Sequence, residues 1–210
     1  MAIRKVTPTR LTLLTLKKEL KTAEKGHKLL KDKRDGLVRT FMEKVYEAKR
    51  AREEISKRLP DAFTTYLRAS ASVARKTHEV AFLLPNSSLS LDVTTRTVMS
   101  VPIPEFSLQK EGTPFSYGVL ETSGELDNAI VEFDEVMPLL IHLAHLEKTL
   151  ENLADEIERT RRRVSALEHV RIPELKETIR YVSNRLEEQA RDAVVSTMRI
   201  KAMIEKGQER

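Results

Sequence analysis

The sequence predicts a mostly α protein: a long antiparallel two-helix coiled coil with a small inserted lobe that contains a β-hairpin. Composition is the first observation behind this prediction, because 33% of the 210 residues are charged and only 5% are aromatic. Such a composition is typical of long helices packed along narrow seams. The second observation is a heptad-like apolar repeat at both ends of the chain. The third is a middle section rich in proline and glycine, which separates the two repeats.

A long N-terminal helix is predicted within residues 1–84. Thr7 is expected to cap it, with Pro8 at the first helical position, where a missing N–H costs nothing. Pro60 is expected to kink or break the helix. Apolar residues recur mostly at steps of three, four or seven, which indicates a coiled-coil seam. The seam residues singled out in this helix are Leu13, Leu16, Leu20, Leu30, Leu37 and Phe41.

The predicted lobe occupies residues 85–124, where four of the eight prolines and three of the six glycines of the chain lie. Residues Ser88 to Val93 alternate polar and apolar side chains, as a half-buried strand does. The β-branched stretch Thr94 to Val101 is expected to be its partner in a hairpin. A further short strand is expected at Phe115 to Leu120.

A second long helix is predicted over residues 125–210, with Ser123 as its N-cap. Pro138 and Pro173 are expected to bend it. Two long helices on either side of a lobe can fold back as an antiparallel pair, so that each buries its seam against the other. The seam residues singled out here are Leu153, Ile157, Val164, Leu167 and Leu186.

Motifs for catalysis, cofactors and metals are missing from the sequence. There is no cysteine, and no phosphate loop, nucleophile elbow or zinc-protease motif occurs. His142 and His145 lack a carboxylate at ligand spacing, and Glu132, Asp134 and Glu135 are interpreted as a solvated helix face. We therefore expect no catalytic, cofactor-binding or metal site. No apolar run approaches the length of a membrane helix, so we expect a cytoplasmic protein without direct membrane insertion.

Charge is segregated along the chain. Residues 1–60 carry 18 basic and 8 acidic residues, whereas residues 85–160 carry 4 basic and 14 acidic residues. Such segregation indicates that different regions face different partners. Three consecutive arginines point about 100° apart around a helix and so cannot share one face. The candidate partner-binding residues are Lys28, Lys31, Lys33, Arg34, Arg161, Arg162 and Arg163. Solubility, with pairing to nearby glutamates, stays open as an alternative role.

Two motifs carry a family resemblance. Thr-Pro-Thr-Arg at 7–10 is followed by Ala-Glu-Lys-Gly-His-Lys-Leu-Leu-Lys-Asp-Lys-Arg-Asp at 23–35. Near the other end stand Glu-Ile-Glu-Arg-Thr-Arg-Arg-Arg-Val-Ser-Ala-Leu-Glu at 156–168 and Ile-Pro-Glu-Leu at 172–175. The chain thereby resembles the D subunit of the V-type and A-type rotary ATPases over almost its full length.

The resemblance implies that the chain is the central-stalk rotor subunit of such a machine. This subunit would not itself be an enzyme. Its coiled coil would enter the hexamer of A and B subunits, its lobe would lie near the small stalk protein F, and its base would dock on the funnel-shaped protein called C or d. Torque would pass between ATP hydrolysis or synthesis in the hexamer and ion transport, such as hydrogen ion transport, in the membrane ring. The protein would be cytoplasmic and peripheral to the membrane.

Two other functions remain as alternatives on the residues alone. A basic coiled coil that binds nucleic acid would account for the isoelectric point of about 9.4, but the acidic middle and the lack of aromatic residues on the basic faces disfavour it. A helical-hairpin scaffold would account for the coil but gives no reason for the clustered arginines. We expect protein partners and no nucleic acid.

Overall fold

The computed structural model describes residues 6–72, 86–115 and 123–208, and most of them are helical. The predicted fold class, long helices with an inserted antiparallel hairpin, is confirmed. The elements are helix α1 (Arg10–Ser72), strands β1 (Ser87–Val98) and β2 (Val101–Gly112), helix α2 (Gly124–Ala166), a π-helical turn (Leu167–Arg171) and helix α3 (Ile172–Gln208). The helix predicted over 125–210 therefore comprises α2, the π-helical turn and α3. The predicted boundary at 84–85 lies outside the described residues.

Helix α1 begins two residues later than a cap at Thr7 would place it. Thr9 is the N-cap, because its hydroxyl accepts a hydrogen bond from the Thr12 amide at 3.1 Å and its carbonyl accepts one from Leu13 at 3.0 Å. The prediction that Thr7 caps the helix is wrong. Both threonines suit the role by residue type, and only Thr9 lies three residues before an amide that is free at the helix start.

Helix α1 also continues through Pro60 to Ser72, so of the predicted kink or break at this residue, the break does not occur. Pro60 lies on the exposed face, where water can bond the carbonyl that its missing N–H leaves free. Ile55 and Ala62 are both buried, so packing holds the helix on either side of the proline. The Thr64 hydroxyl donates to the Pro60 carbonyl at 2.8 Å. The second helix runs likewise through Pro138.

Pro173 lies shortly after the π-helical turn. The amide of Ile172 donates to the carbonyl of Leu167, five residues earlier. Widening the turn by one residue is a common response to a site where the regular ladder is interrupted. The chain therefore remains helical past Pro173.

The chain divides into two compact units, Met1–Asp35 with Glu158–Arg210, and Gly36–Ile157. In the first unit His27 lies near Glu168 and Glu19 near Arg171, at 3.5 and 3.3 Å, so the helical segments run antiparallel. In the second unit Arg52 pairs with Glu147. At the end of α1, Ser72 bonds at 3.0 Å to Ser123, the residue that precedes α2, so this pair is antiparallel as well.

The β-hairpin belongs to the second unit and pairs β1 with β2 in a continuous antiparallel register from Ser87–Gly112 to Val98–Val101. Its turn is Met99–Ser100, so residues 94–98 continue the first strand, and the prediction that they form the partner strand is wrong. The sequence does not predict this turn, because Met-Ser is not a typical pair of residues for a two-residue hairpin loop. The short strand predicted at 115–120 is not formed at Phe115, and its other residues lie outside the described ones.

Candidate partner-binding surface

A buried seam supports the surface of the first unit. Leu16, Leu175 and Val182 form its core and are almost fully buried. Leu13, Leu20 and Leu186, three of the seam residues singled out from sequence, are partly buried and pack against this cluster. Val164 is also buried, and Leu30 and Leu167 are half-buried. The structure thus brings Leu16 and Leu186 from opposite ends of the chain into one cluster.

A second cluster lies in the other unit. Leu37 and Leu153 are completely buried together with Val101, and Phe41 and Ile157 pack against them. Val101, the first residue after the hairpin turn, was not singled out as a core residue from sequence. The only signal in the sequence for the burial of Val101 is that a β-branched residue follows the chain reversal within a polar stretch.

Polar groups interrupt the seam of the first unit. Thr160 is 0% exposed, and its hydroxyl has no hydrogen-bond partner within the described structure. The imidazole of His27 is half-buried and its Nε2 lies 3.5 Å from a carboxylate oxygen of Glu168. Polar groups at seam positions reduce stability, but they can fix the register of two helices.

The basic candidates from both helices lie in the first unit, at one level. His27 faces Glu168 across the pair. Because the segments are antiparallel, residues 28–34 run beside residues 161–163, within about 10 Å along the axis at 1.5 Å per residue. We call this set the basic band. Its residues are Lys28, Lys31, Lys33, Arg34, Arg161, Arg162 and Arg163.

The three arginines that α2 contributes to the basic band spread over the solvent-facing arc of this helix. Thr160 and Val164 are buried and lie four residues apart on one side of the helix. Arg161, Arg162 and Arg163 fall between them in sequence, at successive steps of about 100°, and all three are exposed. They therefore point in different directions away from the seam, as expected from the sequence.

Only part of the charge of the basic band is neutralised locally. Arg34 donates to the Asp35 carboxylate at 2.8 Å, and Arg162 pairs with Glu158. In the part of the chain that the structure describes, no ion pair forms at Lys28, Lys31, Arg161 or Arg163. Lys33 and Arg34 are half-buried, and the other five cations of the band are exposed. Exposed cations attract a polar or acidic surface, and such contacts are weak and screened by salt.

In the second unit, the hairpin is attached to α1 and α2 near its turn and to α2 toward its open end. Near the turn, Val101 enters the core beside Leu37, and the Asn152 side chain donates to the carbonyl of Pro102 at 2.9 Å. Toward the open end, the Lys110 ammonium pairs with Asp134. These attachments were not foreseen from sequence, because each joins residues far apart in the chain.

The two histidines on α2 lie beside the middle of the hairpin. His142 and His145 stack with centroids 6.3 Å apart, and the Phe106 ring lies edge-on to His145 at 6.0 Å. Of the carboxylates interpreted as a solvated face, Glu135 is exposed, Asp134 pairs with Lys110, and Glu132 is half-buried. Over residues 6–72, 86–115 and 123–208, no group of three or more potential ligands could hold a metal ion.

No helix of the described ranges has both the length and the apolar character that a membrane span requires.

Long helices paired in antiparallel fashion, with an inserted β-hairpin, define a class of mostly helical proteins of the coiled-coil type. Comparison with known proteins identifies the family: the model of the ATP synthase D-subunit family matches residues 12–202. The chain is 45% identical to the V-type ATP synthase D subunit of Acetivibrio thermocellus, covering 97% of this chain and 94% of that protein. It is 42% identical to the proteins of the same description from Fusobacterium nucleatum, covering 98% and 99%, and from Clostridium novyi, covering 100% and 99%. The chain belongs to the ATP synthase D-subunit family, and the resemblance seen in its motifs is confirmed.

Proposed function

We propose that the chain is the central-stalk rotor subunit of a V-type ATP synthase and carries torque between its ATP-processing hexamer and its membrane ring. The observation that carries the proposal is the antiparallel helical pair of the first unit. Its apolar seam is closed by residues from both ends of the chain, and its outside bears the basic band. Torque requires a stiff element that does not bind one angular position too tightly. A buried, mainly apolar seam inside and screened charges outside meet both requirements.

The basic band is proposed as the surface that meets the hexamer of A and B subunits. Its arginines point in several directions, so each side can be presented in turn as the chain rotates. Weak ionic contacts that change with angle would permit stepping, whereas a large apolar interface would stop it. The small stalk protein F is proposed to bind near the hairpin-bearing unit, and the funnel-shaped protein, C or d, to bind the base.

The chain is proposed to be non-catalytic and to take no cofactor. Nucleotide chemistry would take place in the A subunits, and ion transport would take place in the membrane ring. On this proposal the protein is cytoplasmic and joins the membrane only through the rest of the complex. ATP synthesis and hydrolysis would use the same shaft in opposite directions.

Purification through a tag on this chain, followed by mass spectrometry and nucleic-acid staining, separates the proposal from its alternatives. Recovery of the A, B and F subunits in amounts comparable to the chain is the expected result. Co-purification of RNA or DNA without these subunits would favour nucleic-acid binding. Recovery of the subunits would not by itself establish torque, which requires a measurement of the coupling between hydrolysis and transport.

A further inference from the structure

The hairpin has an inner and an outer strand. Helix α2 lines clefts on both faces of the hairpin, one shared with Ser107 of β2 and Thr94 of β1, the other with Pro104 of β2 and Val93 and Thr95 of β1. The direct bonds to α2 come from β2, because Asn152 donates to the Pro102 carbonyl and Lys110 pairs with Asp134. Strand β2 therefore lies next to α2. The exposure of the strands agrees, because residues 88–97 of β1 are all exposed, whereas β2 is buried or half-buried at about half of its positions.

The register decides where the backbone groups of each strand point. A two-residue turn makes the flanking pair, Val98 and Val101, a hydrogen-bonded pair, and such pairs then alternate with pairs whose amides and carbonyls point outward. Pro102 and Pro104 fall on outward-pointing positions of β2, so the edge of β2 lacks two donors. The outward positions of β1 contain no proline. They are Leu89, Leu91, Val93, Thr95 and Thr97.

The same outward positions of β1 place apolar side chains in a row. Leu89 is 51% exposed, Leu91 47% and Val93 56%. In the described ranges the sheet has only two strands, so β1 presents a complete edge of donors and acceptors beside this row. A long edge strand of this kind, without proline, lysine or a bulge, is a template for pairing with another strand.

We propose that the free edge of β1 accepts an extended segment of a different, basic protein chain, which adds a third strand to the hairpin. Its backbone would bond to the outward groups of residues 89–97, and its alternate apolar side chains would lie beside Leu89, Leu91 and Val93. A second copy of this chain is a poor occupant of the edge. Residues 85–160 carry 14 acidic and 4 basic residues, so the same acidic region of two copies would repel. A basic segment gains from the same charge. The inference does not depend on the torque function.

Hydrogen exchange at single-residue resolution tests the proposal, on the isolated chain and on the native complex purified through it. In the isolated chain the inward amides of Ser90, Asp92 and Thr94 should be protected, and the outward amides of Leu91 and Val93 should exchange fast. In the complex the outward amides should slow by about tenfold or more, removing the alternation, because each acquires an inter-strand bond.

Two matched variants separate strand addition from simple coverage of the surface. Leu91→Pro removes one outward donor, at the kind of position where β2 already carries prolines, so the hairpin should persist. Leu91→Thr removes the same apolar side chain but keeps the donor. In the complex, protection of Leu89 and Val93 should fall about tenfold in Leu91→Pro and remain near wild type in Leu91→Thr. Protection of the inward amides reports that the hairpin is intact in both.

Several outcomes would overturn the proposal. Outward amides that are already protected in the isolated chain would mean that the chain itself covers the edge. Outward amides that exchange as fast in the complex as in the isolated chain would mean that no strand is added. Equal protection of these amides in Leu91→Pro and Leu91→Thr would indicate that the partner docks on side chains instead. A photo-crosslinking side chain at Thr97 identifies the occupant: a cross-link to another copy of this chain contradicts the proposal, and one to a basic segment of a different protein supports it.

Discussion

Gly36 on α1 lies directly against Met99 at the hairpin turn: a Cβ at Gly36 would stand 3.0 Å from the terminal methyl of Met99. The glycine allows the turn to approach the helix closely. The turn itself is strained, because Met99 and Ser100 have φ angles of 52° and 68°, a region that side chains with a Cβ rarely adopt. The Met99 contact therefore holds the tip of the hairpin in place against the preference of its own backbone.

Replacing the turn by its preferred residues, Met99→Asn with Ser100→Gly, should stabilise the hairpin. Asn-Gly suits two consecutive positive φ angles, and relief of strain is worth about 1 kcal/mol per residue. The inward amides of β1 should exchange several-fold more slowly, and Tm should rise. Met99→Ala is the control, because it removes the contact with Gly36 and leaves the strain, so Tm should fall. A lower Tm for the Asn-Gly variant would show that the Met99 contact outweighs the strain.

Two buried threonines in the first unit should respond differently to replacement by valine. The hydroxyl of Thr160 has no partner in the described structure, whereas that of Thr178 donates to the Glu174 carbonyl at 2.7 Å. Thr160→Val should raise the free energy of unfolding by about 1 kcal/mol, because an unsatisfied polar group is replaced by an apolar one. Thr178→Val should be neutral or destabilising. Urea unfolding of both variants checks this, and a loss of stability in Thr160→Val would contradict it.

Excising the whole hairpin, Ser87–Gly112, should affect the two units differently. The first unit keeps Leu16, Leu175 and Val182, so its helical pairing should persist. The second unit loses Val101 from beside Leu37 and Leu153, so its melting should shift downward, as for other large-to-small core changes. Circular dichroism and assembly with the A and B subunits are the measurements. Complete failure of assembly would show that the hairpin is needed for more than the second unit.

Arg162→Ala tests the basic band without touching the seam. Arg162 is exposed and pairs with Glu158 one turn earlier, and exposed pairs of this kind contribute little to stability. Helicity and Tm should stay near wild type, while the rotation rate or torque of the assembled complex should change and the effect should shrink at high salt. Unaltered rotation at low salt would remove Arg162 from the contact surface.

Prediction from sequence was most successful where burial depends on local periodicity. Leu16, Leu37 and Leu153 repeat at helical spacing, and a helix must turn such residues to one side, so their burial follows from the pattern. The spread of Arg161, Arg162 and Arg163 around α2 follows for the same reason, since the 100° step separates them whatever they contact.

Other features could not be predicted because they depend on competing local options or on distant contacts. Thr7 and Thr9 are both good caps, and the sequence does not say which amide is left free. Met99 and Ser100 are not residues that favour a two-residue turn. The turn forms because Gly36 and the Leu37–Leu153 core, which are distant in sequence, hold residues 99–101 in place. Pro60 looked like a helix breaker, but packing on both sides outweighed its local cost.

The proposed torque function is tested most directly by Leu16→Asp combined with Leu186→Asp. Leu16 is 3% exposed, and Leu186 packs against the same cluster. Two carboxylates there face a desolvation cost of several kcal/mol, so the helical pair of the first unit should separate. Leu14→Asp, at a side chain that is 58% exposed, adds the same charge two residues away and should keep wild-type helicity by circular dichroism.

The decisive quantity is the number of ions transported per ATP hydrolysed, measured for both reactions on the same reconstituted complexes. For the double variant we predict that nucleotide binding and some uncoupled hydrolysis remain, because the proposed catalytic residues lie in other subunits, while ATP-driven transport falls by about tenfold or more. The ratio should therefore drop sharply. An unchanged ratio in the double variant, with the seam shown by circular dichroism to be disrupted, would contradict a torque-carrying role for this chain.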